Sequence, residues 1–173
     1  MTNLRPFAGV LSTALIRISI LTLLVALPLA RIPAATPPDG HLAATDGAKV
    51  EWDGIAATLP GGGPAGEATC IDGVNCDVFT IHVDGTTEDW RGKSIVVKIT
   101  FPLGDDADLY LHKDTVDGPP AGSGQNGGPA DGDGVSETAT INPATSGTGD
   151  YVVHVLYATF IPGDKVHGVA TVM

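Results

Sequence analysis

Short β-branched runs separated by turn residues constrain the fold of this chain more than any other feature. YVVHVLYATF, residues 151–160, is the clearest of them, and the strand signals begin at Val50. Runs of this length and composition, bounded by Gly, Asp and Pro, are typical of β-strands. No amphipathic helix of ten residues occurs after residue 34. The pattern predicts an all-β fold, an antiparallel β-sandwich of jelly-roll type. The predicted strands are 78–83, 94–101, 107–113, 137–142, 151–160 and 166–172.

The first 34 residues have the layout of a secretory signal peptide. Arg5 and Arg17 give a basic start, an apolar run of 13 residues follows, and IPA at 32–34 offers a cleavage site. An uncleaved membrane anchor is the alternative, although the run is short for a span of about 20 residues. Residues 35–47 are rich in Pro and Gly and are predicted to be a flexible tether. One folded domain, 48–173, remains, and its end at a strand suggests a fragment of a longer protein.

The charge of the chain excludes several classes of partner. After residue 34 it carries six Lys and Arg against 20 Asp and Glu, a net charge of −14. Such a charge argues against binding to nucleic acid or to anionic membranes. We expect a monomer that is secreted, either extracellular or periplasmic.

Cys70 and Cys76 are the two cysteines of the chain. In an exported protein an even pair predicts a disulfide, here closing the loop CIDGVNC. A redox or zinc pair is the alternative, but five intervening residues match no CxxC pattern.

GDDADLYLHKD, residues 104–114, is the strongest candidate for a binding site. Alternation places Leu109 and Leu111 in the core and the polar residues on the other face. Loop carboxylates are the ligands that calcium prefers, so a calcium site is predicted. Solvated turn residues are the alternative interpretation. The predicted calcium ligands are Asp105, Asp106, Asp108, Asp131 and Asp133.

The last two of these aspartates belong to a long connection, 114–134, with seven Gly, three Pro and four Asp. Connections longer than about 15 residues are uncommon in compact domains unless they are functional or disordered. Disorder is the simpler expectation for this one.

The sequence contains none of the common catalytic motifs. G-x-S-x-G, H-E-x-x-H and G-x-x-x-x-G-K are all absent, and we predict that the chain is not an enzyme. Three of its strand histidines would suit zinc if their strands were neighbours, although such residues are more often partly exposed strand positions. These histidines are His82, His112, His154 and His167.

Binding to a polymer requires exposed aromatic side chains or a polar groove. Trp90, Tyr110 and Tyr157 are the candidates for an aromatic binding platform. Aromatic residues in a sandwich are mostly packing residues, and that is the alternative.

Several motifs resemble the pre-peptidase C-terminal (PPC-like) domains of secreted bacterial proteins. The resemblance covers about residues 76–172, and the matching residues are Asp106, Asp108, Leu109, Tyr110, Gly149, Tyr151, Val153, Val155, Gly168 and Val172. It implies a jelly-roll sandwich beside a secreted hydrolase, with calcium binding or attachment to polysaccharide or a protein polymer such as collagen in some members. The loop CIDGVNC departs from the pattern of the family.

Together these features predict a secreted, non-catalytic accessory or binding module, stabilised by calcium if the aspartates converge. A ligand-free structural spacer, cut from a longer exported protein, is the alternative.

Overall fold

The computed structural model describes residues 35–55, 67–124 and 134–173, which form two β-sheets. The described strands are β1 (Asp39–Leu42), β2 (Lys49–Ile55), β3 (Cys76–Val83), β4 (Ile95–Pro102), β5 (Asp106–Lys113), β6 (Pro120–Gly124), β7 (Gly134–Ile141), β8 (Gly149–Thr159) and β9 (Lys165–Val172). A 3-10 turn, Glu67–Thr69, and one helical turn, Pro143–Ser146, complete the described elements. None of the helical segments in these residues has the length and apolar content that a membrane span requires.

The chain changes sheets at most of its connections. One sheet has five strands in the order β1-β3-β8-β5-β6, and the other has four in the order β2-β9-β4-β7. All neighbouring strands are antiparallel except β1 and β3, which are parallel. The predicted antiparallel β-sandwich of jelly-roll type with one disulfide is therefore confirmed.

The inward-facing residues of both sheets meet in one core. On β5, Leu109 and Leu111 are fully buried, as alternation predicted. Trp52 of β2 stacks on Phe79 of β3 with ring centroids 4.1 Å apart, which joins the two sheets. Gly168 lies opposite Trp52 in the ladder, and a Cβ there would lie 2.1 Å from an indole carbon. Glycine at this position is thus a packing requirement.

The N-terminal segment 35–47 is not a free tether, and this prediction is corrected. It contains β1, whose residues pair with β3, and the side chains of Ala35 and Leu42 are each only 1% exposed. The segment packs because its few apolar residues reach the core. Its Pro and Gly content alone does not predict this packing. The domain therefore includes residues that precede 48.

The long connection 114–134 also carries structure in its first half. Residues 120–124 form β6 at the edge of the five-stranded sheet, against β5. Residues 125–133 lie outside the described residues.

Strand β8 is buried on both faces over Tyr151–Tyr157. Its odd-numbered residues face the sandwich core. Its even-numbered residues, including His154 and Leu156, face outward but are only 3% and 1% exposed. The segment that precedes β3 lies on this outer side, since Glu67, Cys70 and Asp72 line a pocket together with His154. A polar site thus lies beneath a cover on the outside of the sandwich.

Candidate functional site

Two histidines meet on the covered outer face of the five-stranded sheet. His154 of β8 lies opposite Tyr110 of β5, and His112 is two residues further along β5 on the same face. Such diagonal neighbours are within reach of long side chains. The two imidazole rings have centroids 5.4 Å apart and are tilted by 36°.

Glu67 reaches the histidines from the 3-10 turn. The N–H of Cys70 donates to the carbonyl of Glu67 at 3.0 Å, and the Cys70–Cys76 disulfide ties the turn to the start of β3. The N–H of Val78 also donates to a carboxylate oxygen of Asp72 at 3.1 Å. The loop CIDGVNC, which departs from the family pattern, therefore positions Glu67. This structure also confirms the predicted disulfide.

The three side chains form a compact group of metal-ligating atoms. Nε2 of His112 contacts Oε1 of Glu67, and Nδ1 of His154 lies 3.2 Å from the same oxygen. One ligand atom from each residue lies within 4.8 Å of the other two. Within residues 35–55, 67–124 and 134–173, this is the single group of three or more His, Cys, Asp or Glu that meets this criterion.

The hydrogen bonds of His112 determine its tautomer. Nδ1 lies 2.7 Å from the carbonyl oxygen of Gly118, which can only accept, so Nδ1 carries the proton and donates. In neutral His112, Nε2 then presents a lone pair to the carboxylate of Glu67. Two acceptors in contact require a proton or a cation between them. This arrangement also matches metal-ligating histidines, which usually donate their other N–H to a carbonyl or carboxylate.

Within the site, His154 has the least complete hydrogen bonding. The residue is 3% exposed, and neither ring nitrogen forms a well-directed hydrogen bond. The 3.2 Å approach to Glu67 is close enough for an ion pair but poorly aligned for a hydrogen bond. Burial lowers the pKa of His154, and the negative charge of Glu67 offsets only part of that effect. The ring nitrogens of His154 are therefore available to bind a ligand in the pocket.

The three residues open into a pocket of about 520 Å³. One wall is apolar, and two acidic residues, Asp72 and Asp117, lie in the lining. A second pocket of about 320 Å³ shares Glu67 and His112. The volume of the first pocket suits a small ligand or an inserted side chain. Its apolar lining residues include Ala68, Ile71, Val78 and Val116.

The predicted calcium ligands do not form a comparable group among the described residues. Asp105 is 7% exposed and accepts a hydrogen bond from the N–H of Ile161 at 3.2 Å, which makes it a buried turn residue. Asp106 is exposed and Asp108 is half-buried. Burial raises the pKa of Asp105, and it also raises that of Asp108 together with the charge of Asp106. Asp131 and Asp133 lie outside the described residues, so the calcium site stays a prediction.

The proposed aromatic platform is corrected by the structure. Trp90 is fully buried and its Nε1 donates to the carbonyl of Asp84 at 2.8 Å. Tyr157 is 6% exposed and packs on Phe160 with ring centroids 4.7 Å apart. Tyr110 is half-buried and lines the smaller pocket. Trp90 and Tyr157 are buried in the sandwich core, so the three rings do not form a surface on which a polymer could stack.

The other two strand histidines pair with carboxylates on the surface. Nδ1 of His82 lies 2.7 Å from Asp150, and Nδ1 of His167 lies 2.8 Å from Asp53. The sequence therefore identified His112 and His154 among four candidates without distinguishing them. Glu67 was missed, since its only signal is that it is one of four glutamates among 20 acidic residues and comes just before Cys70.

Comparisons with known proteins find similar chains among the solved structures. No family model matches the chain, and no curated protein matches it. Among solved structures, the chain is similar to the pre-peptidase C-terminal domain of a collagenase from Bacillus anthracis. The identity is 16% and the TM-score 0.40, over 78% of this chain and 94% of that domain. The matched domain has the name of the family that the sequence motifs resemble, and at this TM-score it carries no argument about function.

Proposed function

We propose that this chain is a non-catalytic binding module of an exported protein, with its ligand in the pocket around Glu67, His112 and His154. The observation that carries this proposal is the side chain of His154, which is buried without a well-directed hydrogen bond and borders a pocket of about 520 Å³. The disulfide supports export, because such bonds persist in oxidising compartments.

A buried polar group without a hydrogen bond typically lowers stability by about 1–3 kcal/mol. The neighbouring outward-facing residues of β8, Val152 and Leu156, are apolar and equally buried, so an apolar residue would fit this face. A chain that acted only as a spacer would gain stability from such a residue at position 154. A histidine at this position is accounted for if it contacts a ligand.

The chemistry of the pocket supports binding over covalent catalysis. Among the described residues that line it there is no hydroxyl group and no free thiol, since Cys70 is in the disulfide. The described lining therefore offers no Ser, Thr, Cys or Lys nucleophile, which are the groups that form many of the covalent intermediates in enzymes. The proposed partners, an extracellular polysaccharide, a protein polymer or a neighbouring hydrolase domain, rest on the sequence resemblance alone.

The spacer is the second candidate function. It is favoured by the burial of Trp90 and Tyr157, which leaves no polymer-stacking surface from the predicted aromatic residues. The two candidates differ in the expected effect of changing His154.

Replacement of His154 by leucine tests the proposal without knowledge of the ligand. In metal-free protein at pH 8, His154→Leu is expected to raise the free energy of unfolding by about 1–2 kcal/mol, since it removes an unsatisfied buried group. Urea unfolding measures this quantity. A phenylalanine variant checks that the result does not depend on side-chain shape.

His82→Leu is the matched control, because His82 is a strand histidine that is bonded to Asp150 and only partly buried. It is expected to change stability by no more than about 0.5 kcal/mol. If both His154 variants are less stable than the native protein, the histidine is a structural residue and the spacer is the better interpretation.

Calcium binding is a separate proposal that involves Asp105, Asp106, Asp108, Asp131 and Asp133. It is supported by Asp105, in the β4–β5 turn, and Asp108, within β5. The pKa values of both carboxyl groups are raised, and a bound cation would relieve the desolvation and the repulsion. A calcium-dependent rise in the unfolding midpoint that Asp106→Ala abolishes is the expected result.

A further inference from the structure

We propose that Glu67, His112 and His154 bind a first-row divalent transition metal ion of the zinc class. This inference rests on the proposed function and identifies the ligand of the same pocket. The two imidazoles and one carboxylate converge with their ligand atoms within 4.8 Å of one another. Three protein ligands of these types, with a fourth position open, are a common zinc coordination set.

The distances within the group suit a metal ion. Zinc binds nitrogen and carboxylate oxygen at about 2.0–2.1 Å, which places tetrahedral ligand atoms about 3.3 Å apart. Nδ1 of His154 and Oε1 of Glu67 are already 3.2 Å apart. The direct contact between His112 and Glu67 would open to admit the ion.

The hydrogen bond from His112 to Gly118 is compatible with a cation at this place. Because Nδ1 donates to the carbonyl of Gly118, the lone pair of Nε2 is directed at the carboxylate of Glu67. A divalent ion between the two acceptors satisfies both, and the bond to Gly118 holds the imidazole ring in place. The same ion would be a partner for His154, which otherwise has none of good geometry.

The donor set excludes calcium as the natural ion of this site. Calcium takes six to eight oxygen ligands in proteins, whereas imidazole nitrogen is typical of zinc, copper and nickel. One carboxylate and two neutral imidazoles leave a zinc site with a single positive charge. The acidic residues Asp72 and Asp117 lie in the same pocket lining and favour that charge. The pocket of about 520 Å³ leaves room for a fourth ligand, either water or a donor group of a partner.

Metal titration of the purified protein, after treatment with EDTA and dialysis, tests this inference. Calorimetry with ZnCl₂ is expected to show one ion per chain. Cobalt(II) is expected to give the visible absorption of a four-coordinate site. Each of Glu67→Gln, His112→Ala and His154→Ala is expected to weaken zinc binding by at least about 100-fold, more than the loss of an outer-shell contact.

His82→Ala and His167→Ala are matched controls, because each removes a strand histidine that has a carboxylate partner. Both are expected to bind zinc as the native protein does. Far-UV circular dichroism establishes that each variant is folded, and Glu67→Gln preserves the volume of a half-buried side chain if the histidine variants do not fold.

Absence of zinc binding in the native protein would overturn the inference, as would equal binding by Glu67→Gln, or loss of binding in the His82 or His167 control. In each case the binding module itself is judged by the stability of His154→Leu. If the native protein does not bind zinc but His154→Leu is more stable, the pocket binds a different ligand. If His154→Leu is less stable than the native protein, the proposed binding function is rejected as well.

Discussion

Asp77 brings a carboxyl group into the sandwich core. It lies on the inward face of β3 and is fully buried, with its side chain against the backbone of Gly54 on β2. Neither carboxyl oxygen forms a well-directed hydrogen bond. Burial raises the pKa of Asp77 to about 7, and the nearby hydroxyl of Tyr157 lowers it only in part. The group is therefore largely protonated at mildly acidic pH.

The raised pKa predicts the direction of a pH effect on stability. Below the ordinary value of 3.8 the folded and unfolded states are both protonated, and the stabilising contribution is fully present. As pH rises from about 4 to about 7, only the unfolded state ionises, so stability falls by about 1.4 kcal/mol per pH unit. The total loss is about 4 kcal/mol, and it is complete above pH 7.

Asp77→Asn is expected to remove this dependence. The variant should be more stable than the native protein at pH 8 by up to about 4 kcal/mol, with a difference near zero at pH 3.5. Urea unfolding at several pH values measures both. Asp39→Asn, on an exposed position of β1, removes the same charge and should retain the native pH profile. Identical slopes for Asp77→Asn and the native protein would show that this carboxyl group is ionised in the fold.

Residues 67–75, which precede β3, cover part of the outer face of the five-stranded sheet. Without a cover, His112 and His154 would be more exposed strand residues, as His82, which is half-buried, and His167, which is exposed, are. The 3-10 turn and the disulfide loop cover them and add the carboxylate of Glu67. The site is thus built from two strands and one covalently closed loop.

Removal of the disulfide is expected to affect the site more than the sheets. The double variant Cys70→Ala, Cys76→Ala should lose about 2 kcal/mol of stability, as expected for a loop of six residues in the chain-entropy model. Zinc affinity should fall by at least about tenfold, because the turn that carries Glu67 is no longer closed onto β3.

Calorimetry with zinc and urea unfolding of the same variant separate the two effects. Alanine is used in place of chemical reduction, since free thiols would bind zinc themselves. A variant that loses stability but retains full zinc affinity would show that the hydrogen bonds of Cys70 and Val78 alone position Glu67.

At the scale of the whole molecule, the N-terminal segment belongs to the fold. The N–H of Thr80 donates to the carbonyl of Pro38 at 3.0 Å, and that of Asp84 donates to the carbonyl of Leu42 at 2.9 Å. Gly40 lies against the side chains of Val50 and Phe79. The segment covers the outer edge of β3 and adds a parallel strand to an otherwise antiparallel sheet.

Deletion of residues 35–47 is expected to destabilise the domain by at least about 3 kcal/mol. Burial of a leucine side chain alone contributes about 1.5–3 kcal/mol, and the β1–β3 hydrogen bonds add to this. Urea unfolding of chains that begin at residue 35 and at residue 48 measures the difference. Leu42→Ala should account for about 2 kcal/mol or more of it, and Asp39→Ala for almost none. Equal stability of the two chains would restore the flexible tether.

The amino-acid pattern alone is enough to identify most of the strands and their inward faces. The burial of Leu109 and Leu111, and the runs that became β3, β4, β8 and β9, follow from alternation and β-branched residues. The disulfide also follows from the pattern, because two cysteines six positions apart have one partner each. These features depend on contacts that are local in sequence.

The candidate site depends on contacts that are distant in sequence, and only the folded molecule defines it. Glu67 and His112 are 45 positions apart, and His154 lies still further along the chain. They meet because β5 and β8 are neighbours and the disulfide loop folds over them. The same packing buries Trp90 and docks segment 35–47 against β3. Local propensity indicates that a residue lies in a strand or a turn, whereas the pairing order of the strands decides which side chains share a pocket.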